Sequence, residues 1–133
     1  MILLDTHSLI WHDLALPRIG KTTHFMIEEA WAESEVYVSA ISFWEVALLN
    51  SKSRVALRVP PNQWRLDLLA AGYQEIALDG ATAIASVQLD LDLKDPADRL
   101  IAATALAYDA TLITADDRLL AWPGALKRQD ARL

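Results

Sequence analysis

The stretch DPADRLIAATALAYDATLITADD, residues 95–117, decides the fold because it places a helix directly before a short strand. Asp95 is suited to cap a helix, and Pro96 suits the first turn. The β-branched run Thr111–Thr114 has the length and composition of a buried parallel strand. A helix that leads into such a strand is typical of an α/β protein. The helix is predicted from one stripe of side chains at helical spacing: Leu100, Ile101, Thr104, Ala107 and Tyr108.

The rest of the chain repeats this alternation of short strands and helices. Three more runs have the character of buried strands: Met1–Leu4, Val36–Val38 and Gln74–Leu78. Helical patterns lie between or after the strands, at Ser42–Leu49, Asn62–Ala71, Ala81–Leu89 and Asp116–Ala121. We therefore predict an α/β fold with a parallel sheet covered on both faces.

Composition limits the class of protein. The chain has 133 residues, of which 53% are apolar and 23% are charged, so we expect a single domain over residues 1–133. The absence of cysteine excludes a disulfide scaffold, a thiolate zinc site and a cysteine nucleophile. The longest stretch without a charged residue is Gly80–Leu89, which is too short to cross a membrane. The first residues do not resemble a signal peptide, so we expect a cytoplasmic protein.

Twelve basic and 18 acidic residues give a net charge of −6. A general nucleic-acid binder usually carries a basic face, so this balance disfavours one unless a metal ion or a local basic patch reverses the sign.

Four carboxylates stand in apolar surroundings, where a charge is costly unless it is paired or bound to a metal. Asp5 directly ends the first strand, where it either caps the next helix or faces a ligand at the carboxyl edge of the sheet. Glu45 is the only residue in Val36–Leu49 that is charged at neutral pH, and it requires either an interior ion pair or a metal.

The other two candidates follow the same logic. Asp95 and Asp98 open the long helix, where capping and the helix dipole already account for acidic residues. Asp116 follows the strand Thr111–Thr114, and its neighbour Asp117 leaves it open which of the two caps the next helix.

Taken together, three or four of these carboxylates are expected to converge at one edge of a parallel sheet. Converging carboxylates repel one another and need a cation. A set of oxygen ligands suits Mg²⁺ or Mn²⁺ better than zinc. Such an ion activates water and neutralises phosphate charge, so the residues predict a metal-dependent phosphodiester hydrolase.

The same residues resemble the PIN domain, in particular ribonuclease toxins of the VapC type from type II toxin–antitoxin systems. The resemblance rests on four motifs in family order: LLDTH (3–7), VSAISFWEVA (38–47), DPADRLIA (95–102) and LITAD (112–116). It implies a three-layer α/β/α domain with a central parallel sheet of four to five short strands.

The resemblance also implies a function. Asp5, Glu45, Asp98 and Asp116 would hold Mg²⁺ or Mn²⁺, and a metal-activated water would cleave RNA. The hydroxyl of Thr6 or Thr114 would contact the water shell of the ion. A small antitoxin protein as partner and a homodimer would be expected.

Further residues carry weaker signals. Lys52, Arg54 and Arg58 lie in an acid-free run and are candidates for RNA contacts. Arg99 follows Asp98 and is a surface residue, a phosphate contact or an ion-pair partner that orients an acid, of which the ion pair is preferred. His7 lies close enough to Asp5 to reach the edge of the site, whereas Trp11 is interpreted as a core or interface residue.

Three other functions compete with the nuclease. An aspartate-based phosphatase or phosphotransferase of the dehalogenase type would have a second Asp where His7 stands. A receiver-type signalling domain would have paired acids after the first strand, and Asp5 stands alone. A catalytically silent PIN-like binding module would not need all four acids.

Overall fold

The computed structural model describes all residues, 1–133, and contains five strands and seven helices. The strands are β1 (Ile2–Leu4), β2 (Val36–Ser39), β3 (Gln74–Ile76), β4 (Thr111–Thr114) and β5 (Arg128–Asp130). The helices are α1 (Thr6–Asp13), α2 (Lys21–Ala32), α3 (Ala40–Ser51), α4 (Pro61–Ala71), α5 (Gly80–Gln88), α6 (Pro96–Ala107) and α7 (Asp117–Ala121).

The strands form one parallel sheet in the order β3-β2-β1-β4-β5. β1 lies at the centre, where Leu3 is in register with Tyr37 on one side and with Leu112 on the other. The chain first builds outward from β1 through β2 to β3 and then returns to add β4 on the other side. Such a reversal opens a crevice at the carboxyl ends of the two strands that flank it, β1 and β4.

Two hydrophobic cores lie on opposite faces of the sheet. Alternating residues of β1 divide between them: Ile2 and Leu4 join the core that packs against α1 to α4, and Leu3 joins the core that packs against α6 and α7. α5 packs against α6 on that second face. This arrangement confirms the predicted α/β class, with a parallel sheet covered on both faces.

The sequence pattern missed β5 and extended β3 two residues too far. Arg128–Asp130 is polar, and it is a strand because its backbone pairs with β4 at the edge of the sheet. The three side chains of β5 are only partly buried, so the strand leaves no apolar run in the sequence. β3 ends at Ile76, and Asp79 caps α5 soon after.

Side-chain caps begin the helices that start at the carboxyl edge of the sheet. Ser39 is the last residue of β2, whereas Asp5 and Asp116 follow β1 and β4. Each of the three accepts a hydrogen bond from a backbone N–H of the next helix. The capping of α6 by Asp95 is as predicted. None of the helices is both long and apolar enough to cross a membrane.

Candidate active site

Three of the four predicted carboxylates line one pocket at the crevice between β1 and β4. Asp5 directly follows β1, Asp116 lies two residues after β4, and Asp98 lies in the first turn of α6. α6 runs antiparallel to the strand that it precedes, which brings its first turn to the carboxyl edge of the sheet. The pocket has a volume of about 280 Å³, and its other walls are His7, Trp11 and Ala115.

Asp5 is the most buried of these carboxylates, with 7% of its surface exposed. The backbone N–H of Ser8 donates to Oδ1 of Asp5 over 2.8 Å, so the cap is also a constraint on the carboxylate. Burial raises the pKa of Asp5, and hydrogen bonding from Thr114 and Ser8 opposes part of this rise. Removal from water without a neighbouring cation therefore makes its negative charge costly.

Asp98 is half-buried at the third position of α6. Burial raises the pKa of Asp98 to about 7, and the negative charges of other carboxylates add to the rise. These carboxylates are Asp95, Glu45, Asp5 and Asp116. Because each of the predicted acids acts on Asp98, the four form one electrostatic cluster that a cation would stabilise.

Glu45 lies in the middle of α3 and does not line the pocket wall. Its Oε1 atom is buried and has no hydrogen-bond partner, and Glu45 forms no ion pair. A buried carboxylate oxygen without a partner loses its hydration with no compensation. The interior ion pair considered from the sequence is therefore absent. The buried carboxylate of Glu45 has no positively charged partner within the protein.

Comparison with known proteins identifies the family. A model of the PIN domain matches residues 2–123. The chain belongs to the PIN-domain family. This PIN domain is 35% identical over 119 residues to Ribonuclease VapC22 of Mycobacterium tuberculosis (strain ATCC 25618 / H37Rv), in an alignment that covers 89% of this chain and 88% of that protein.

Solved structures share the fold of this PIN domain. One is a toxin-antitoxin complex from Klebsiella pneumoniae, with a TM-score of 0.65 and 23% identity over 98% of both chains. Another is VapBC2 from Rickettsia felis bound to a DNA fragment from its promoter, with a TM-score of 0.68 and 20% identity. That match covers 98% of this chain and 100% of the other.

The donor set fits a hard divalent cation, although the side chains do not form a complete cage. No group of three or more His, Asp or Glu side chains stands in an arrangement that could hold a metal ion. Mg²⁺ usually keeps several waters and takes only one or two carboxylates from the protein, so a complete cage is not required. The unpartnered Oε1 of Glu45 and the raised pKa of Asp98 are both states that a nearby cation would stabilise.

The two candidate threonines are buried and hydrogen-bonded within the protein. The hydroxyl of Thr6 donates to Ser42 over 3.0 Å and joins α1 to α3. The hydroxyl of Thr114 accepts from the backbone N–H of Asp116 over 3.0 Å, and it hydrogen-bonds to Asp5. Thr114 thus links Asp5 and Asp116 through hydrogen bonds of its buried hydroxyl.

Asp95 and Asp117 have local roles. Asp95 caps α6 by accepting from the backbone N–H of Ala97. Asp117 is exposed and pairs with Arg132 over 2.7 Å. Asp116, and not Asp117, therefore lines the pocket and caps α7.

The predicted ion pair of Arg99 with an acid is wrong. The guanidinium of Arg99 donates only to backbone carbonyls, which lie at the end of α5 and in the connection to α6. A guanidinium fits this site because its five donors can satisfy carbonyls that a helix end and a loop leave unpaired. The acceptors are the carbonyl oxygens of Ser86, Val87, Leu89, Leu91 and Leu93.

The candidate RNA-binding cations do not line the acidic pocket. Lys52 and Arg54 follow the far end of α3, and Arg58 lines a separate, largely apolar groove between α1 and α4. Their contact with RNA stays a prediction.

The sequence analysis underrated two residues of the pocket wall, His7 and Trp11. They are four residues apart on α1, so they share the face of the helix that begins at Asp5. This spacing after a candidate catalytic residue is the signal that could have identified them.

Proposed function

We propose that this PIN domain is a metal-dependent endoribonuclease that hydrolyses RNA phosphodiester bonds, and that it is the toxin of a cytoplasmic toxin–antitoxin pair. The observation that carries the proposal is the cluster of carboxylates around Asp98 at the carboxyl edge of the sheet. The 35% identity to a ribonuclease supports RNA as the substrate.

Asp5, Glu45, Asp98 and Asp116 are the proposed ligands of Mg²⁺ or Mn²⁺. When bound, such an ion would supply an activated water and neutralise charge on the phosphate. The protein's part is to hold these carboxylates in place, through the cap of Asp5 and the buried hydroxyl of Thr114. Without a cation, the pocket would repel a phosphodiester.

A small antitoxin and a second copy of the chain are the proposed protein partners. Likeness in fold to a toxin-antitoxin complex supports the first. Exposed apolar side chains on α3 and α5 support the second, because large exposed apolar patches mark protein contacts. These side chains are Trp44, Leu48, Ile84 and Val87.

Cleavage of total bacterial RNA by the purified chain tests the proposal. We expect discrete fragments with Mg²⁺ or Mn²⁺, none with EDTA, and none with Asp98→Asn. Asp109→Asn is the matched control, because Asp109 is exposed and pairs with Lys127 away from the pocket. Intact RNA under every condition, or equal cleavage by Asp98→Asn, would contradict the proposal.

A thermal melt separates loss of the metal from loss of the fold. Mn²⁺ stabilises a protein that binds it only when folded, by about 2.7 kcal/mol at 100 times the Kd. We expect Glu45→Gln to reduce this Mn²⁺-dependent rise in Tm while the variant stays folded in EDTA. An unchanged Mn²⁺ effect would remove Glu45 from the ligand set.

A further inference from the structure

One wall of the acidic pocket is formed by the aromatic side chains of His7 and Trp11, which the proposed metal site does not involve. His7 and Trp11 stand one turn apart on α1, with their ring centroids 6.4 Å apart and their planes tilted by 58°. The guanidinium carbon of Arg18 lies 5.7 Å from the centroid of the Trp11 ring. His7 and Trp11 line the acidic pocket, and the guanidinium of Arg18 lies against the Trp11 ring. We call these three residues the aromatic wall.

The protein itself leaves the polar groups of the aromatic wall unused. His7 is exposed and its ring makes no hydrogen bond within the protein. The indole N–H of Trp11 has no partner either, whereas Trp64 donates to Asp13 and Trp122 donates to the carbonyl of Asp90. Tryptophan N–H groups usually find a partner when they leave water, so Trp11 has a donor to offer to a ligand.

Trp11 is nevertheless held firmly in place. Part of its ring packs against the core on the α1 face of the sheet. The same residue lines both the acidic pocket and a second cavity of about 160 Å³. A fixed aromatic surface loses little conformational entropy when a second flat group stacks on it.

An acidic protein that binds RNA needs affinity that does not depend on net charge. Stacking of bases on aromatic side chains supplies such affinity, and it tolerates sequence because every base has a π-face. A nearby guanidinium adds a contact to phosphate or to the base plane. In a duplex the bases are already stacked, so a wall of this kind selects single-stranded RNA.

We propose that the aromatic wall is the substrate-binding subsite of this PIN domain, where a base of single-stranded RNA next to the cleaved phosphodiester stacks on Trp11. His7 contacts the edge of that base, and Arg18 contacts a phosphate of the same strand. This inference rests on the proposed ribonuclease function and adds to it the residues that recognise a base beside the cut.

Abasic substitution in a cleaved RNA oligomer tests the wall. Each base that flanks the mapped cut site is removed in turn, and KM is measured for the wild type, Trp11→Leu and Trp11→Phe. Leucine keeps the apolar packing and removes the π-face. Stacking contributes about 1–3 kcal/mol per base, so we expect KM to rise by roughly tenfold in Trp11→Leu and by less in Trp11→Phe.

The decisive readout is the coupling between the side chain and one base. Removal of the stacked base should raise the KM of the wild type but barely change that of Trp11→Leu, because the partner is already gone. Trp122→Leu is the matched control, since Trp122 lies outside the pocket and should leave the penalty intact. Equal abasic penalties in the wild type and Trp11→Leu would overturn the proposal.

Binding without cleavage separates this inference from the proposed function. A single-stranded RNA oligomer of mixed sequence, which need not be cleaved, is titrated against Asp98→Asn and against the double variant with Trp11→Leu. Weaker binding by the double variant supports the wall even if the wild type cuts no RNA, which would refute the ribonuclease alone. Equal binding by both overturns the wall. A basic peptide is titrated in parallel with the RNA. If Trp11→Leu weakens binding of the peptide but not of the RNA, the wall binds a protein partner and the proposal is wrong.

Discussion

The three pocket carboxylates and Glu45 differ in what burial does to them. Asp5 is the most buried, and its cap to Ser8 offsets part of the cost of its charge. Asp98 lacks such a cap and faces the other acids, so its pKa rises to about 7. Glu45 has a buried oxygen with no partner. Each of these states is unfavourable for the free protein and would be relieved by a cation.

The raised pKa of Asp98 predicts how stability depends on pH without metal. Folding raises this pKa from 3.8 to about 7, so the folded state holds the proton more tightly between those values. Stability conferred by Asp98 is therefore full below about pH 4 and is lost as pH rises through 7. We expect the Tm in EDTA to fall from pH 5 to pH 8, because the buried Asp98 carboxyl loses its proton over this range.

Asp98→Asn should flatten this dependence and raise the stability at pH 8 by about 1–2 kcal/mol, or roughly 3–8 °C in Tm. Mn²⁺ should also flatten it in the wild type, because the ion favours the charged carboxylate. Asp109→Asn serves as the control, and differential scanning calorimetry is the measurement. Parallel pH profiles for Asp98→Asn and the wild type would show that Asp98 is not the titrating group.

At the level of secondary structure, Arg99 ties α5 to α6. Its five donors reach the last carbonyls of α5 and those of the connection that leads to Asp95. Asp98 is the residue before it, so the same contacts fix the turn of α6 that presents Asp98 to the pocket. Arg99 is therefore a positioning residue, because its guanidinium donates to backbone carbonyls and has no donor left for RNA.

Arg99→Lys should lower the free energy of unfolding by about 2–3 kcal/mol, because an ammonium cannot reach five carbonyls and leaves some of them unsatisfied. Arg128→Lys is the matched control, since Arg128 donates to the single carbonyl of Leu119. Urea unfolding measures both. In conditions where Arg99→Lys is folded, we also expect a lower kcat and weaker Mn²⁺ binding. A variant as stable and active as Arg128→Lys would contradict this role.

The elements that the sequence predicted well are those whose side chains are buried. β4 and α6 leave apolar runs and stripes because they pack on the core, and Asp98 could be placed because it stands at a defined position of α6. β5 and the role of Arg99 depend on backbone groups, which leave no pattern in side chains.

At the scale of the whole molecule, two surfaces have different characters. The carboxyl edge of the sheet gathers acids, whereas α3 and α5 present apolar side chains to water although both helices pack against α6. Val87 on α5 is 79% exposed, which is high for a large apolar residue. An apolar surface flanking α6 fits a second copy of the chain better than it fits RNA.

The exposed apolar side chains predict a homodimer. A charged residue introduced among them should dissociate it. Ile84 and Val87 are three residues apart, so they share one face of α5, and Trp44 and Leu48 form a similar pair on α3. Val87→Lys should give a monomer in size-exclusion chromatography with light scattering, because an ammonium would be buried without a partner at the interface. Leu66→Lys on α4 is the control, since Leu66 is also exposed but lies on another helix. A wild type that is monomeric at the same concentration, or a Val87→Lys variant that stays dimeric, would place the contact between copies elsewhere.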